Sequence, residues 1–371
     1  MRPSFFVSLL FLFLLISSSL LLIYLIKLKP THILDSLVYP EDAPSSELLE
    51  LNDRIWNQLN YKSKPKQSPV IIFKSSNIDR EIPLGYRYFH ESGCRVSNCF
   101  ITVNESKFST ADVLYLSPED FDMRPSPKSS QITVLRLLES PENTQKLKFL
   151  NGKINFTASY RWDADFVIPY GKVIKGPSKK QIYIPKKKKL GAWFVSNCVT
   201  INDRMGIVKE LRKYVEIDIY GSCTNRAITQ RQAESFLRND YQFYFAFENS
   251  NCRDYVTEKF FQALRFGAIP IVFGASLEFY QKIAPKDSFV HISQFPSIKE
   301  LARFLKLVAS TQELLEKFHA WRTEYSFVDT RFYCRLCALM QNPHEKVYED
   351  LSEWFSAEHD CVRSNFSTFW S

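Results

Sequence analysis

The sequence predicts an α/β protein: two Rossmann-like domains facing a cleft, preceded by a transmembrane helix and a stem. Three observations carry that expectation. Short apolar runs alternate with amphipathic segments, which is the pattern of βαβ units and parallel sheets. A stretch of Gly, Pro, Lys and Ser from Gly171 to Lys189 divides those runs into two groups. Ser4 to Ile26 holds no charge, Pro or Gly, and as a helix it would span about 34 Å.

Taken in order, residues 1–3 are expected to be a cytosolic tail and residues 4–26 an uncleaved signal anchor. The apolar segment exceeds the roughly 7–15 residues of a secretory signal and lacks a small-residue cleavage site. Residues 27–68, polar and Pro-bearing, read as a stem that closes on "YKSKPKQSP". A first domain over 69–171 has buried-strand candidates at Val70–Phe73, Asp112–Leu116, Ile132–Leu137 and Asp165–Tyr170. A linker over 172–189 follows. A second domain over 190–345 then runs strand (Ala192–Val195), amphipathic helix (Arg204–Tyr214) and strand (Val215–Gly221). Strand Phe243–Phe247, a helix at Val256–Gly267 and strand Ala268–Gly274 complete it, and 346–371 is a C-terminal segment.

With 371 residues, 31 Phe and 18 Tyr, the chain can build two sizeable cores. The net charge of +8 is dispersed, and its one run, Lys186–Lys189, reads as solvated linker. No zinc finger, RNA-recognition signature or heptad array accompanies it, so a nucleic-acid partner is not expected. Arg2 on one side of the anchor and Lys27 and Lys29 on the other leave its orientation open. Eight cysteines and the acceptor triplets at Asn104, Asn155 and Asn365 place the body in an oxidising secretory lumen.

The chemistry concentrates in "YQFYFAFENSNCRDYVTEKFF" (Tyr241–Phe261), which opens as a strand and ends as a helix. Ligands of parallel α/β sheets bind outside the carboxyl ends of strands, where helix N-termini favour phosphate. Lys259 would add a point charge for a diphosphate, and Glu258 would accept hydrogen bonds from paired ribose hydroxyls. The alternative is an ordinary helix capped by Asp254 or Thr257. Asn197 after "FVSNC", Arg204 at the next helix start and the strand end "DIYG" outline the same pocket. No GxGxxG or GxxxxGK[ST] is present, which disfavours dinucleotide and P-loop sites. Glu139 follows a buried strand directly, either as a functional carboxylate or as an exposed loop residue. Asp163 and Asp165 form a DxD that would serve a metal–diphosphate, a turn or an arginine. No HExxH or zinc spacing occurs among the six scattered His.

These blocks together resemble the α1,3-fucosyltransferases of glycosyltransferase family 10. "FENSNCRDYVTEKFFQALRFGAIPIVFG" is similar to that family's signature, and "LESP", "SYRWDADFVIPYG", "WFVSNC" and "IDIYGSC" match further blocks over roughly residues 70–340. The resemblance implies a GT-B fold, GDP-β-L-fucose as donor, and inverting transfer to a GlcNAc hydroxyl of a glycoprotein in the Golgi, from a single-pass type II protein. It implies Glu139 as general base, Arg204 and Lys259 on the diphosphate, and Glu258 on the ribose. Ser196, Asn197, Tyr220, Asn249 and Tyr255 would line the nucleotide. No metal is obligatory in this reading, because side chains meet the donor's charge; Mn²⁺ or Mg²⁺ would at most stimulate. Cys198 and Cys252 resemble enzymes that fucosylate the N-glycan core, against a Lewis-type alternative on antennal GlcNAc. A non-catalytic glycan-binding protein on this fold would be expected to lack Glu139 or the Lys259–Arg204 pair.

The resemblance also groups Cys94, Cys99, Cys334 and Cys337 into one cluster that ties the C-terminal return of the chain to the first domain, with the pairing open. Cys198 and Cys223 follow two strands joined by one helix. A right-handed crossover would bring them within disulfide reach if the strands are neighbours. Cys252 and Cys361 are left to each other by elimination. The alternative throughout is one or more free buried thiols.

Overall fold

The computed structural model describes residues 53–176 and 187–363. The tail, the anchor 4–26, most of the stem and Asn365 lie outside the described residues. Among those described, no helix is long and apolar enough to cross a membrane.

The first domain is a six-stranded parallel sheet of β1 (Val70–Lys74), β2 (Cys99–Thr102), β3 (Val113–Leu116), β4 (Ile132–Leu137), β5 (Phe156–Ser159) and β6 (Phe166–Val167), in the order β2-β1-β3-β4-β5-β6. The chain leaves through β7 (Lys172–Lys175) and enters a second parallel sheet. That sheet comprises β8 (Lys189–Phe194), β9 (Ile217–Tyr220), β10 (Tyr241–Phe247), β11 (Ile269–Phe273) and β12 (Val290–His291). Its order is β12-β11-β10-β8-β9. Each sheet therefore places its first strand between its second and third. The connections diverge there and open a crevice at the strand ends, between β1 and β3 in one sheet and between β8 and β10 in the other. Strands β2 and β5 escape a sequence reading because "CFIT" and "FTAS" are too short to show a period.

Three expected boundaries move. The stem assigned to 27–68 ends early, because Arg54–Asn60 is a helix capped by Asp53 and docked on the first domain. Ile55 is 1% exposed. Arg54 donates to the carbonyls of Trp162 and Ala164 at 2.9 and 2.7 Å, and Gln58 donates to that of Asp165 at 2.7 Å. Seven residues are too few to reveal a helical stripe. The linker assigned to 172–189 contains β7, which pairs antiparallel with β13 (Tyr325–Val328), so two crossings of the chain strap the domains. The second domain, assigned to 190–345, gives up its last helix. Phe332–Met340 packs beneath the first sheet, and Leu336, Leu339 and Met340 are fully buried with Ile72, Val113 and Val134.

The Lys186–Lys189 run is not wholly solvated either. Lys187 is 6% exposed and donates to the carbonyls of Leu237 and Gly267, at the C-terminal ends of two helices. Those carbonyls have no intrahelical partner and carry partial negative charge, which draws the ammonium inward.

All eight cysteines pair. Cys94–Cys334 and Cys99–Cys337 staple the returning helix to the first domain, with Cα atoms 5.2 and 5.9 Å apart. Cys198–Cys223 closes the adjacent β8 and β9 ends at 5.4 Å, as the crossover argument required, and Cys252 meets Cys361.

The acceptor triplets divide. Asn104 is exposed at the N-cap of a 3₁₀ turn, whereas Asn155 is built into the fold. Its Nδ2 donates to the Lys346 carbonyl at 2.8 Å, and its Oδ1 accepts from the Thr133 amide at 2.8 Å. A glycan on Nδ2 would have to leave beside the Lys346 carbonyl from a half-buried amide, which disfavours Asn155 as an acceptor. Glycopeptide mapping of the protein from a secretory host is expected to find Asn104 occupied and Asn155 bare. Lys187 yields a second expectation. Burial, with the nearby Arg322 charge, lowers its pKa from 10.5 to about 7. Between those values the unfolded chain binds more protons than the folded one, so stability rises with pH across the window. Chemical denaturation from pH 7 to 10.5 is expected to show the parent gaining stability relative to Lys187→Met.

Candidate active site at the strand ends

The crevice between β8 and β10 is spanned by Arg204, the first residue of the helix Arg204–Leu211. Its guanidinium donates to the Phe247 carbonyl at 2.7 Å and the Asn197 carbonyl at 3.0 Å. Arg204 is 3% exposed, and burial pulls its pKa down while Glu248 offsets part of the effect. Ser196 and Asn197 stand exposed beside it in the loop after β8.

One step beyond β10, Glu248 is completely buried. Its carboxylate accepts the Thr257 amide at 2.8 Å, the Thr257 hydroxyl at 2.8 and 3.0 Å, and the Lys259 ammonium at 3.1 Å. Thr257 is the N-cap of the helix Glu258–Phe266, but its hydroxyl is given to Glu248 and not to the helix. Lys259 also reaches Glu258 at 3.3 Å. Burial opposes the charge on Lys259, but Glu248 and Glu258 outweigh it and hold its pKa above the ordinary value. Gly274 makes this packing possible: a Cβ there would stand 2.7 Å from Cγ of Glu248.

Glu139 enters from the other domain, two residues past β4, and is exposed. The second domain reaches it twice. The Tyr255 hydroxyl donates to Oε1 at 2.6 Å and Nδ2 of Asn249 donates at 3.2 Å. Beside them the Ser250 hydroxyl donates to that of Ser140 at 2.7 Å, and Asp254 accepts the Trp162 amide at 3.1 Å. The structure thus gathers Glu139, Asn249, Tyr255, Glu258 and Lys259 around one interdomain seam, with Ser196, Asn197 and Arg204 at the neighbouring strand end.

Tyr220 is not delivered to that seam. Its ring packs on Phe236, and its hydroxyl meets those of Tyr241 at 2.6 Å and the Arg226 guanidinium at 2.9 Å. The residue is structural because the strand end "DIYG" turns the phenol into the core. Asp163 and Asp165 are committed to cations. Asp163 accepts two bonds from Arg161, at 2.9 and 2.5 Å, and Asp165, fully buried, holds Lys346 at 2.7 Å and Tyr348 at 2.8 Å. Among the described residues, no group of three or more His, Cys, Asp or Glu could hold a metal ion.

Two features of the seam have no counterpart in the sequence reading. Glu248 is visible as a carboxylate after a strand, but its partners lie nine and eleven residues further on. The Ser140–Ser250 contact joins residues 110 positions apart.

Comparison with known proteins identifies the family. The description "Fucosyltransferase, N-terminal" matches residues 63–171, and "Glycosyltransferase family 10 (fucosyltransferase) C-term" matches residues 184–354. The chain belongs to glycosyltransferase family 10. A Drosophila melanogaster relative, glycoprotein 3-alpha-L-fucosyltransferase A, is 37% identical over 343 residues, 86% of this chain and 68% of the relative. Bos taurus alpha-(1,3)-fucosyltransferase 7 is 35% identical over 71% of this chain and 79% of its own. A crystal structure of an alpha1,3-fucosyltransferase with GDP-fucose superposes with a TM-score of 0.53 at 16% identity, covering 86% of this chain and 98% of that one. At that identity the likeness establishes the fold. Within this family 10 chain the Glu248 packing is open to test. Gly274→Ala is expected to push Glu248 off Thr257 and Lys259 and to cost about 1–3 kcal/mol in chemical denaturation.

Proposed function

We propose that this chain transfers L-fucose from GDP-β-L-fucose, with inversion, in α1,3 linkage to a GlcNAc of a glycoprotein glycan. The two domains would form a GT-B pair, anchored through residues 4–26 as a type II protein of the Golgi membrane. One observation carries the reading: a carboxylate of the first domain is gripped by the second, at the seam where a helix N-terminus and two cations await a diphosphate.

The chemistry follows from those residues. Glu139 takes the proton from the acceptor hydroxyl as its oxygen attacks C1 of fucose from the face opposite the phosphate. The new C–O bond forms as the C1–phosphate oxygen bond breaks, so a β-configured donor gives an α product. The charge that develops on departing GDP is met by Arg204, Lys259 and the free N–H groups of the helix Glu258–Phe266. Lys259 is held ready by Glu248, and Glu258 is exposed where ribose hydroxyls would reach it. Ser196 and Asn197 line the nucleotide from the β8 side.

For the acceptor we favour the N-glycan core. The glycoprotein-directed Drosophila relative supports it, as do Cys198 and Cys252, which resemble core-modifying enzymes and are both disulfide-bonded here. Incubating the purified chain with GDP-fucose and a panel of core and antennal glycans, read by mass, is expected to add one fucose to core GlcNAc. Transfer to antennal GlcNAc alone would favour the Lewis-type reading. Glu139→Gln is expected to lose at least about 100-fold in kcat with GDP binding retained. A variant turning over at the parent rate would remove Glu139 from the mechanism.

A further inference from the structure

We propose that residues 356–363 are a strap that positions the loop 249–255 for the donor, with Cys252–Cys361 as its fastening. The proposal deepens the fucosyl-transfer reading and rests on it, because in that reading Asn249 and Tyr255 line the nucleotide from this loop. Of the four disulfides, this one alone joins the two domains. Cys252 belongs to the second domain, and Cys361 follows a stretch of chain built into the first. In that stretch the Tyr348 carbonyl accepts the Gly152 amide and the Tyr348 amide donates to the Ile154 carbonyl, both at 2.8 Å. Lys346 pairs with Asp165 at 2.7 Å. Leu351 and Phe355 are buried with Leu135 and Leu137 of β4, the strand that leads to Glu139.

From that base the chain crosses the seam, and Asp360 is where it turns onto the loop. Its carboxylate accepts Nη1 of the buried Arg161 at 2.5 Å, and its carbonyl accepts the Arg253 amide at 2.7 Å. The same Nη1 donates to the Trp354 carbonyl at 2.5 Å, so one guanidinium of the first domain holds both ends of the crossing. The Val362 amide donates to the Asn251 carbonyl at 2.7 Å. Between these two backbone bonds Cys252 and Cys361 face each other as an antiparallel pair. Arg363 then reaches back to Glu142, three residues past Glu139, at 3.1 Å. The loop is thus fixed at its root by Glu248 and at its middle by the strap. The side chains it sends across the seam are held by single hydrogen bonds, whereas the strap adds two backbone bonds and a covalent one. Ordering the loop before the donor arrives removes that cost from binding. A crosslink that served stability alone would leave affinity unchanged.

The test is the paired substitution Cys252→Ser with Cys361→Ser in the full-length chain, which leaves no odd thiol. Well below the melting temperature, the Kd for GDP by calorimetry and the KM for GDP-fucose are each expected to rise at least about fivefold. Cys94→Ser with Cys334→Ser removes a crosslink remote from the loop, and its Kd and KM are expected to stay within about twofold of the parent. A strap variant that binds GDP within about twofold of the parent, or a control pair that weakens binding equally, overturns the proposal. Hydrogen exchange in the unsubstituted chain decides the matter if a cysteine variant fails to fold. Coupling is reciprocal, so saturating GDP must tighten the strap. Exchange at the Arg253 and Val362 amides is expected to slow at least about threefold, and by more than at the Gly152 amide at the strap's base. No such difference overturns the proposal. A parent that binds GDP but transfers no fucose overturns the functional reading and leaves the strap to be judged by affinity and exchange. A parent that binds no GDP overturns both.

Discussion

A single buried carboxylate organises the functional end of this molecule. Glu248 closes β10 in an environment where an uncompensated charge would be costly, and it survives there because an amide, a hydroxyl and an ammonium all converge on it. Those partners lie nine to eleven residues downstream, so satisfying the charge folds the intervening loop back on the strand end. The loop in turn projects Asn249, Ser250, Asp254 and Tyr255 at the opposite domain. The segment that opens the helix and the segment that holds Glu139 are therefore one object, fixed at its root by electrostatics.

The seam between the domains is built from that loop by direct packing. Tyr255 packs at a tilt against Tyr160, Asp254 receives the Trp162 amide, and Gly171 lies so close to Phe261 that a Cβ would sit 2.5 Å from its ring. Asp254 adopts φ of 57°, a left-handed conformation that a short polar side chain tolerates. These contacts combine ring packing with single directed hydrogen bonds. They suit a joint that must set distances between groups carried on two separate sheets.

Much of this was legible in the sequence, for reasons that differ by residue. The second sheet showed itself because β10 and β11 are buried on both faces and read as continuous apolar runs. Cys198 and Cys223 could be paired because one helix separates neighbouring strands, which makes their distance a matter of local geometry. Glu139 stood out as a carboxylate after a strand, and Arg204 and Lys259 as cations at helix starts. What stayed hidden depended on partners distant in sequence. Tyr220 looks like any strand-end aromatic until Phe236 and Tyr241 claim it, and Asn155 looks like any acceptor triplet until Lys346 binds its amide. The DxD suited a metal, a turn or an arginine, and only the structure assigns its two carboxylates to Arg161 and Lys346. The helix Phe332–Met340 follows the second domain in sequence, and only the tertiary structure assigns it to the first.

That last helix imposes an order of events on synthesis. The first domain is the earliest to leave the ribosome, yet the helix filling its underside lies at residues 332–340, and its two staples span 240 and 238 positions. The first sheet must therefore wait, incompletely covered, while the whole second domain is made. The second domain, with its own 25-residue Cys198–Cys223 loop, has every strand it needs before then. The protein matures from the middle outward, and a chain that stops anywhere before residue 332 leaves its earliest-made half unfinished.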